Sequence, residues 1–105
     1  MSYKFLSEKD PSEIVTLTFD FSLALDAGET ITAIDSVTVE LVLGVDDSPS
    51  SILMGTAAVS VDSLSVMQPV QGGVDEADYS VKVVVNTSNA FKRLALAGVL
   101  RVRNQ

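Results

Sequence analysis

The chain contains no cysteine, no histidine and no tryptophan. Without cysteine there is neither a disulfide framework nor thiolate chemistry, and the composition fits a reducing compartment. Without histidine, acid or base work would fall to carboxylates, lysine or tyrosine, and nucleophilic attack to serine or threonine. The serines stand in loop strings or at outward strand positions, with no G-x-S-x-G elbow, no S-x-x-K pair and no glycine-rich phosphate cradle. No enzyme is expected, and no catalytic residue or cofactor is assigned. Positive charge is also scarce. Seven Lys and Arg face 14 Asp and Glu, a net charge of -7 that opposes the counterion release driving nucleic-acid affinity and discourages adhesion to anionic membranes. The longest aliphatic run, residues 94–100, is far too short to span a bilayer. The opening segment MSYKFLSEKDPSE lacks the apolar centre of a secretory signal, which predicts a protein kept in the cytoplasm where it is made.

What is present is a short, apolar chain. Its 105 residues suit one domain burying somewhat under roughly 70% of its unfolded surface. With 47% hydrophobic residues and a mean hydropathy of +0.34, it is too apolar for disorder and rather rich for a solitary domain, so some apolar surface is expected to meet a partner.

Alternation governs the apolar residues. Val15, Leu17, Phe19 and Phe21 alternate with Thr16, Thr18 and Asp20, the period of a strand with one buried face, and Val37, Val39, Leu41 and Leu43 repeat it beyond the turn DAGE. A helix over residues 21–27 is the weaker alternative there. GVDDSPSS, residues 44–51, reads as an exposed loop. Short strands are expected at residues 52–54, at 57–61 with Val59 and Val61 on one face, and at 64–70 with Pro69 near an edge or end. After Gly72-Gly73, Tyr79, Val81, Val83 and Val85 form the clearest inward face. Residues 86–90 supply a turn, and 93–103 return as a last strand covered on both faces, with a bulge or a close backbone contact expected at Ala97-Gly98. Seven or eight short strands without a helix predict an all-β, antiparallel sandwich or barrel, with residues 1–13 as an N-terminal arm and 14–105 as the single domain.

The string DEADYSV, at residues 75–81, sharpens that fold. Immunoglobulin domains carry D-x-A-x-Y-x-C where their sixth strand begins, and the tyrosine hydrogen-bonds back across the preceding corner. Asp75, Ala77 and Tyr79 occupy the same spacing, with Val81 in place of the cysteine. An immunoglobulin-like sandwich with Asp75 and Tyr79 as a structural corner follows. The alternative is a polar turn entering a Tyr/Val strand by chance, and the missing core tryptophan speaks for it.

Two further groups of side chains merit weighing. Asp46 and Asp47, with Asp75, Glu76 and Asp78, would offer oxygen ligands to calcium if their loops met, but neither cluster has the spacing of a recognised calcium loop. Solvated acidic turns are the simpler account, and no metal site is assigned. Phe91, Lys92 and Arg93 place an aromatic beside two cations in an acidic protein, a combination favoured at interface centres. The plainer arrangement has Phe91 packed beneath its hairpin and the cations wet.

The two ends of the chain resemble a group of small phage and prophage structural proteins with an immunoglobulin-like domain. The likeness rests on Lys9-Asp10-Pro11-Ser12-Glu13, Phe19-Asp20-Phe21, Gly28-Glu29-Thr30-Ile31, Gly72-Gly73 ahead of Tyr79, and Leu100-Arg101-Val102-Arg103-Asn104-Gln105, in that order. Phe21 replaces a frequent tryptophan, NTSNAFKR replaces a late Gly-Arg hairpin, and residues 36–70 carry no matching element. The resemblance implies a virion structural or assembly protein, made in the bacterial cytoplasm, with no cofactor. Its partners would be other virion proteins or itself as a homo-oligomer, engaged by strand addition at a sheet edge or by packing of a sheet face. A small-molecule ligand is not expected. The other class considered is an adhesin-like or carbohydrate-binding sandwich on a virion or cell surface, which two Tyr and four Phe, several of them needed in the core, supply poorly.

Overall fold

The computed structural model describes residues 4–104; residues 1–3 of the expected arm and Gln105 of the tail motif lie outside the described residues. Among these residues the chain forms β1 (Lys4–Lys9), β2 (Val15–Asp20), β3 (Ile31–Leu43), β4 (Ala58–Val59), β5 (Ser65–Val70), β6 (Ala77–Thr87) and β7 (Arg93–Val102). One sheet has the order β1-β7-β6-β3 and the other β2-β5-β4. The protein is an all-β sandwich of two sheets.

Strand alternation builds its core. Tyr79, Val81, Val83 and Val85 on β6 are fully buried, and Leu17, Phe19 and Phe21 face them from β2 and its exit, joined by Val66 and Val70 of β5. Each buried side chain of this size contributes roughly 1.5–3 kcal/mol relative to exposure. β6 lies inside its sheet, paired with β3 and β7, so Tyr79 stands between Leu41 and Leu100, and Val83 between Val37 and Leu96. On β7 the phase of Leu94, Leu96, Leu100 and Val102 is buried or partly buried, while the other phase is covered only in its middle, with Arg93 and Arg101 exposed at its ends, so the last strand is not covered on both faces along its whole length.

The segment Lys9-Asp10-Pro11-Ser12-Glu13 makes a closed turn. Pro11 presets the backbone, the Glu13 amide donates to the Asp10 carbonyl at 2.9 Å, and the Asp10 amide donates to Glu13 Oε1 at 2.7 Å. Lys9 is fully buried, its Nζ donating to the carbonyls of Asp10 at 2.8 Å and Gly72 at 2.6 Å. Burial lowers the Lys9 pKa from its ordinary value, with Glu13 and then Asp10 opposing that shift.

Several expectations need correction. Residues 4–9 of the expected arm form β1, which satisfies the outer edge of β7 and runs parallel to it, so the first sheet is mixed rather than antiparallel. The register shift falls on β1, between Phe5 and Ser7, while the β6–β7 pairing passes Ala97 and Gly98 unbroken. Residues 52–54 do not form a strand. Pro49–Ile52 is a single 3₁₀ turn begun by its proline, and only Leu53 bridges to Val70. The strand expected at 57–61 shrinks to β4, because Asp62 closes a turn: Ser60 Oγ donates to its Oδ1 at 2.5 Å and the Leu64 amide at 3.1 Å. Val61 is thereby turned outward, not inward with Val59. Residues 21–27 carry turns rather than a helix.

Candidate functional site

The strand ends gather the loops into two clusters. At the first end meet the β2–β3 connection, the β4–β5 turn and the β6–β7 turn. The Phe21 amide donates to the Leu64 carbonyl, the Ile31 amide to that of Ser63, and the Ser88 amide to that of Thr30, all within 3.0 Å. Glu29 is the hub of this end. Its carboxylate accepts from Lys92 Nζ at 2.7 Å, Thr87 Oγ1 at 2.6 Å and the Asp26 amide at 2.8 Å, while Lys92 Nζ also donates to the Ala24 carbonyl at 2.9 Å. The Lys92 hydrogen bond first, then Thr87 and the Asp26 amide, pull the Glu29 pKa down from 4.5 to about 2. Glu29 in turn raises that of Lys92.

From this braced platform three apolar side chains project. Leu23 on the β2–β3 connection is 102% exposed, Val61 on the β4–β5 turn 106%, and Phe91 on the β6–β7 turn 100%. The plainer expectation for residues 91–93 thus fails for Phe91 and Lys92, while Arg93 is exposed as expected. Lys92 folds inward onto Glu29, and Phe91 stands in solvent beside Arg93, whose Nε donates to Asn86 Oδ1 at 3.2 Å. The Asn89 side chain holds this shape by accepting from the Phe91 amide at 3.0 Å. Leu23 and Val61 escaped the sequence reading because each was counted into a helix or strand; Asp20 and Asp62, short turn-forming acids beside them, were the available signal.

At the opposite end the corner residues lie together. The Tyr79 hydroxyl accepts from the Val74 amide at 2.9 Å and donates to Asp46 Oδ2 at 2.6 Å, joining the β5–β6 connection to the loop after β3. Desolvation, reinforced by the Asp46 carboxylate, pushes the Tyr79 pKa up to about 12. Asp75 caps the chain terminus by accepting from the Asn104 amide at 2.7 Å. Asp78 is held by Arg103, Nη2 to Oδ1 at 2.8 Å, with Arg101 Nε at 3.8 Å. Asp46 and Asp78 thus have partners of their own, and among the described residues no group of three or more acidic, His or Cys side chains is placed to hold a metal ion.

Between these loops opens a recess of about 530 Å³ lined by Leu43, Gly44, Val45, Val74, Asp75, Glu76 and Arg103. Gly44 permits it. Its φ is +96°, and a Cβ there would sit 2.9 Å from the Ala77 Cα. Leu43, Val45 and Val74 line the recess while remaining substantially exposed.

Two loop ends rich in exposed aliphatic side chains suit protein contact, and the family comparison agrees. A family model described as Podophage GP4 fiber-tail adaptor protein gp77 matches residues 9–95. The chain belongs to this family. The fiber-tail adaptor family is one of phage structural proteins, and its described role is structural rather than catalytic. The match takes in the platform around Glu29, the three projecting side chains and most of the Tyr79 corner. It stops before Arg101 and Arg103. A search of curated proteins found no match.

Proposed function

We propose that the chain joins fibre to tail in a phage particle by protein–protein contact, using the two loop ends of an immunoglobulin-like sandwich as its contact surfaces. The observation that carries this is the trio Leu23, Val61 and Phe91, three fully exposed apolar tips on hydrogen-bonded loops in a chain of a fiber-tail adaptor family. Solvent-exposed apolar groups held on rigid supports are suited to burial against a partner, with aromatic residues as anchors.

Strand order supports the immunoglobulin-like part of the proposal. β2-β5-β4 corresponds to strands B, E and D, and β3-β6-β7 to C, F and G, with β1 carried over to the far edge of the second group. The Tyr79 hydroxyl reaches back to the backbone of Val74, five residues upstream, as a tyrosine corner does. Residues 14–105 are taken as the single domain, with residues 4–13 of the arm docked on it through β1 and Lys9. Of the aromatic side chains described, Phe19, Phe21 and Tyr79 are buried and Phe91 alone is exposed, which suits a protein anchor better than a sugar-stacking platform.

Electron microscopy of phage particles carrying a stop codon in this gene tests the proposal. The expected result is tailed particles without fibres, with fibres regained on adding the purified protein. Fully fibred particles from the stop mutant would overturn it.

A further inference from the structure

We propose that the outer edge of β2 accepts an extended, lysine- or arginine-bearing segment of another protein as an added strand. In the immunoglobulin order A-B-E-D, strand A lies beside strand B. Here β1 has crossed to β7, and β2, which corresponds to B, has β5 as its one strand neighbour among the described residues.

Hydrogen bonds on the far side of β5 show which groups β2 turns outward. The Pro69 carbonyl accepts from the Met54 amide at 3.0 Å and the Ser65 carbonyl from the Ser60 amide at 2.9 Å, so the odd-numbered residues of β5 direct their backbone groups away from β2. Thr16 stands opposite Pro69, and Thr18 opposite Met67. Bonded and non-bonded positions alternate in an antiparallel pair, and Thr16 and Thr18 therefore each present an amide and a carbonyl to the open side. Their side chains are exposed as well. The register from Val15 to Asp20 is unbroken, and the strand contains no proline, lysine or bulge. Such devices keep sheet edges from pairing; β3 relies on register shifts and β4 on shortness, whereas β2 has neither and is a template for a further strand.

Charge selects the occupant. Glu13 precedes the strand and Asp20 ends it, both exposed, and Asp62 lies close enough to Asp20 for the two carboxylates to repel. A second copy fits poorly here. An antiparallel β2–β2 pair would set the Glu13 end of one strand against the Asp20 end of the other, in chains of net charge -7. A strand with cations in its outer phase is favoured at both ends instead. Its inner phase would border buried Leu17 and Phe19 and half-buried Val15, which calls for valine or another β-branched side chain. The inference goes beyond the fibre-to-tail reading and does not rest on it, because it concerns a sheet edge rather than the loop ends and is read by a separate measurement.

Nuclear magnetic resonance on the full chain tests it, with a terminally blocked synthetic peptide that alternates valine and lysine as the probe. Before peptide is added, the Thr16 and Thr18 amides are expected to exchange quickly with solvent and those of Leu17 and Phe19 slowly. The peptide should shift the Thr16 and Thr18 signals and slow their exchange. A peptide alternating valine and glutamate should bind about tenfold or more weakly, and the lysine peptide should lose about as much against Thr18→Pro, which removes an outward amide and leaves the β5 ladder in place. If Thr18→Pro loses its native melting transition, Thr18→Lys replaces it and repels the same peptide. Four results overturn the proposal: shifts centred on another edge or on the loop ends, unmoved Thr16 and Thr18 signals up to millimolar peptide, equal binding of the glutamate peptide, or wild-type affinity in the variant. Protection of Thr16 and Thr18 that grows with protein concentration alone would make a second copy the occupant and overturns it too.

Discussion

Replacing Tyr79 by Phe removes one oxygen and leaves the ring in place, which isolates the corner from the core. The hydroxyl joins two loops, donating to Asp46 Oδ2 at 2.6 Å and accepting from the Val74 amide at 2.9 Å. A hydrogen bond to a charged acceptor is worth about 1.5–3 kcal/mol net and a neutral one about 1 kcal/mol, but water can reach both half-buried Asp46 and exposed Val74 once the oxygen is gone. The expected loss is about 2 kcal/mol, which for a domain near this size lowers Tm by about 8–16 °C. Chemical denaturation checks the free energy, and a cycle with Asp46→Ala apportions it: the two substitutions together should cost less than their sum. A second signature lies at alkaline pH. The folded pKa of about 12 exceeds the ordinary 10.0, so the stability it represents is complete below pH 10.0 and is lost as pH rises towards about 12, a slope that Tyr79→Phe should abolish. A Tyr79→Phe protein within about 0.5 kcal/mol of wild type would show that the corner is held by packing alone, and the reasoning would fail.

Acid should act at the other end. With the Glu29 pKa held at about 2 against an ordinary 4.5, its contribution is present above pH 4.5 and is lost as pH falls towards about 2. Asp62 is also depressed, through Ser60, so the measurement is the difference in Tm between wild type and Glu29→Gln across that window; parallel curves would refute the assignment. Lys9→Met keeps the buried volume but strands the carbonyls of Asp10 and Gly72, at a cost of about 1–3 kcal/mol by denaturation, and a neutral result would show that water replaces the ammonium. Gly44→Ala meets both a positive φ and the Ala77 backbone, and should cost about 1–3 kcal/mol. Gly28→Ala, with φ +79° and open space, should cost about 1 kcal/mol, and equal losses would contradict the close approach.

How much of this was legible in the sequence depends on where each residue gets its constraint. β2 and β6 are written in period two because each has one face against the other sheet, and Phe19, Phe21, Tyr79, Val81, Val83 and Val85 could be placed by counting. β1 could not, since a parallel strand added beside β7 answers the hydrogen-bonding need of a segment more than 90 residues away in sequence. Pro49–Ile52 and the turn at Asp62 misled the count for another reason: apolar Ile52 and Val61 mimic strand residues while nearby Pro49 and Asp62 impose turns. At the candidate site, the aromatic-cation string at residues 91–93 was visible, but which member faced solvent was not. That choice is made by Glu29, which draws Lys92 inward.

The apolar surplus noted in the composition has a location, and it bears on how the protein meets others. Nine large hydrophobic side chains are exposed among those described: Leu23, Val61 and Phe91 at one end, and Ile14, Val42, Leu43, Val45, Met54 and Val74 at or beside the other. The long free edge of β3 is a poor template for strand addition. Its register against β6 shifts at three places, and Asp35 and Glu40 stand exposed along it. Irregular pairing and edge charges are the usual protection against edge-to-edge pairing. The other sheet has β4, only two residues long, at one edge and the regular six-residue β2 at the other. Edge pairing is thus blunted at β3 and β4, while unburied apolar surface collects at the loop ends. The apolar surface left uncovered therefore lies at the ends of the sandwich rather than along the free edges of β3 and β4.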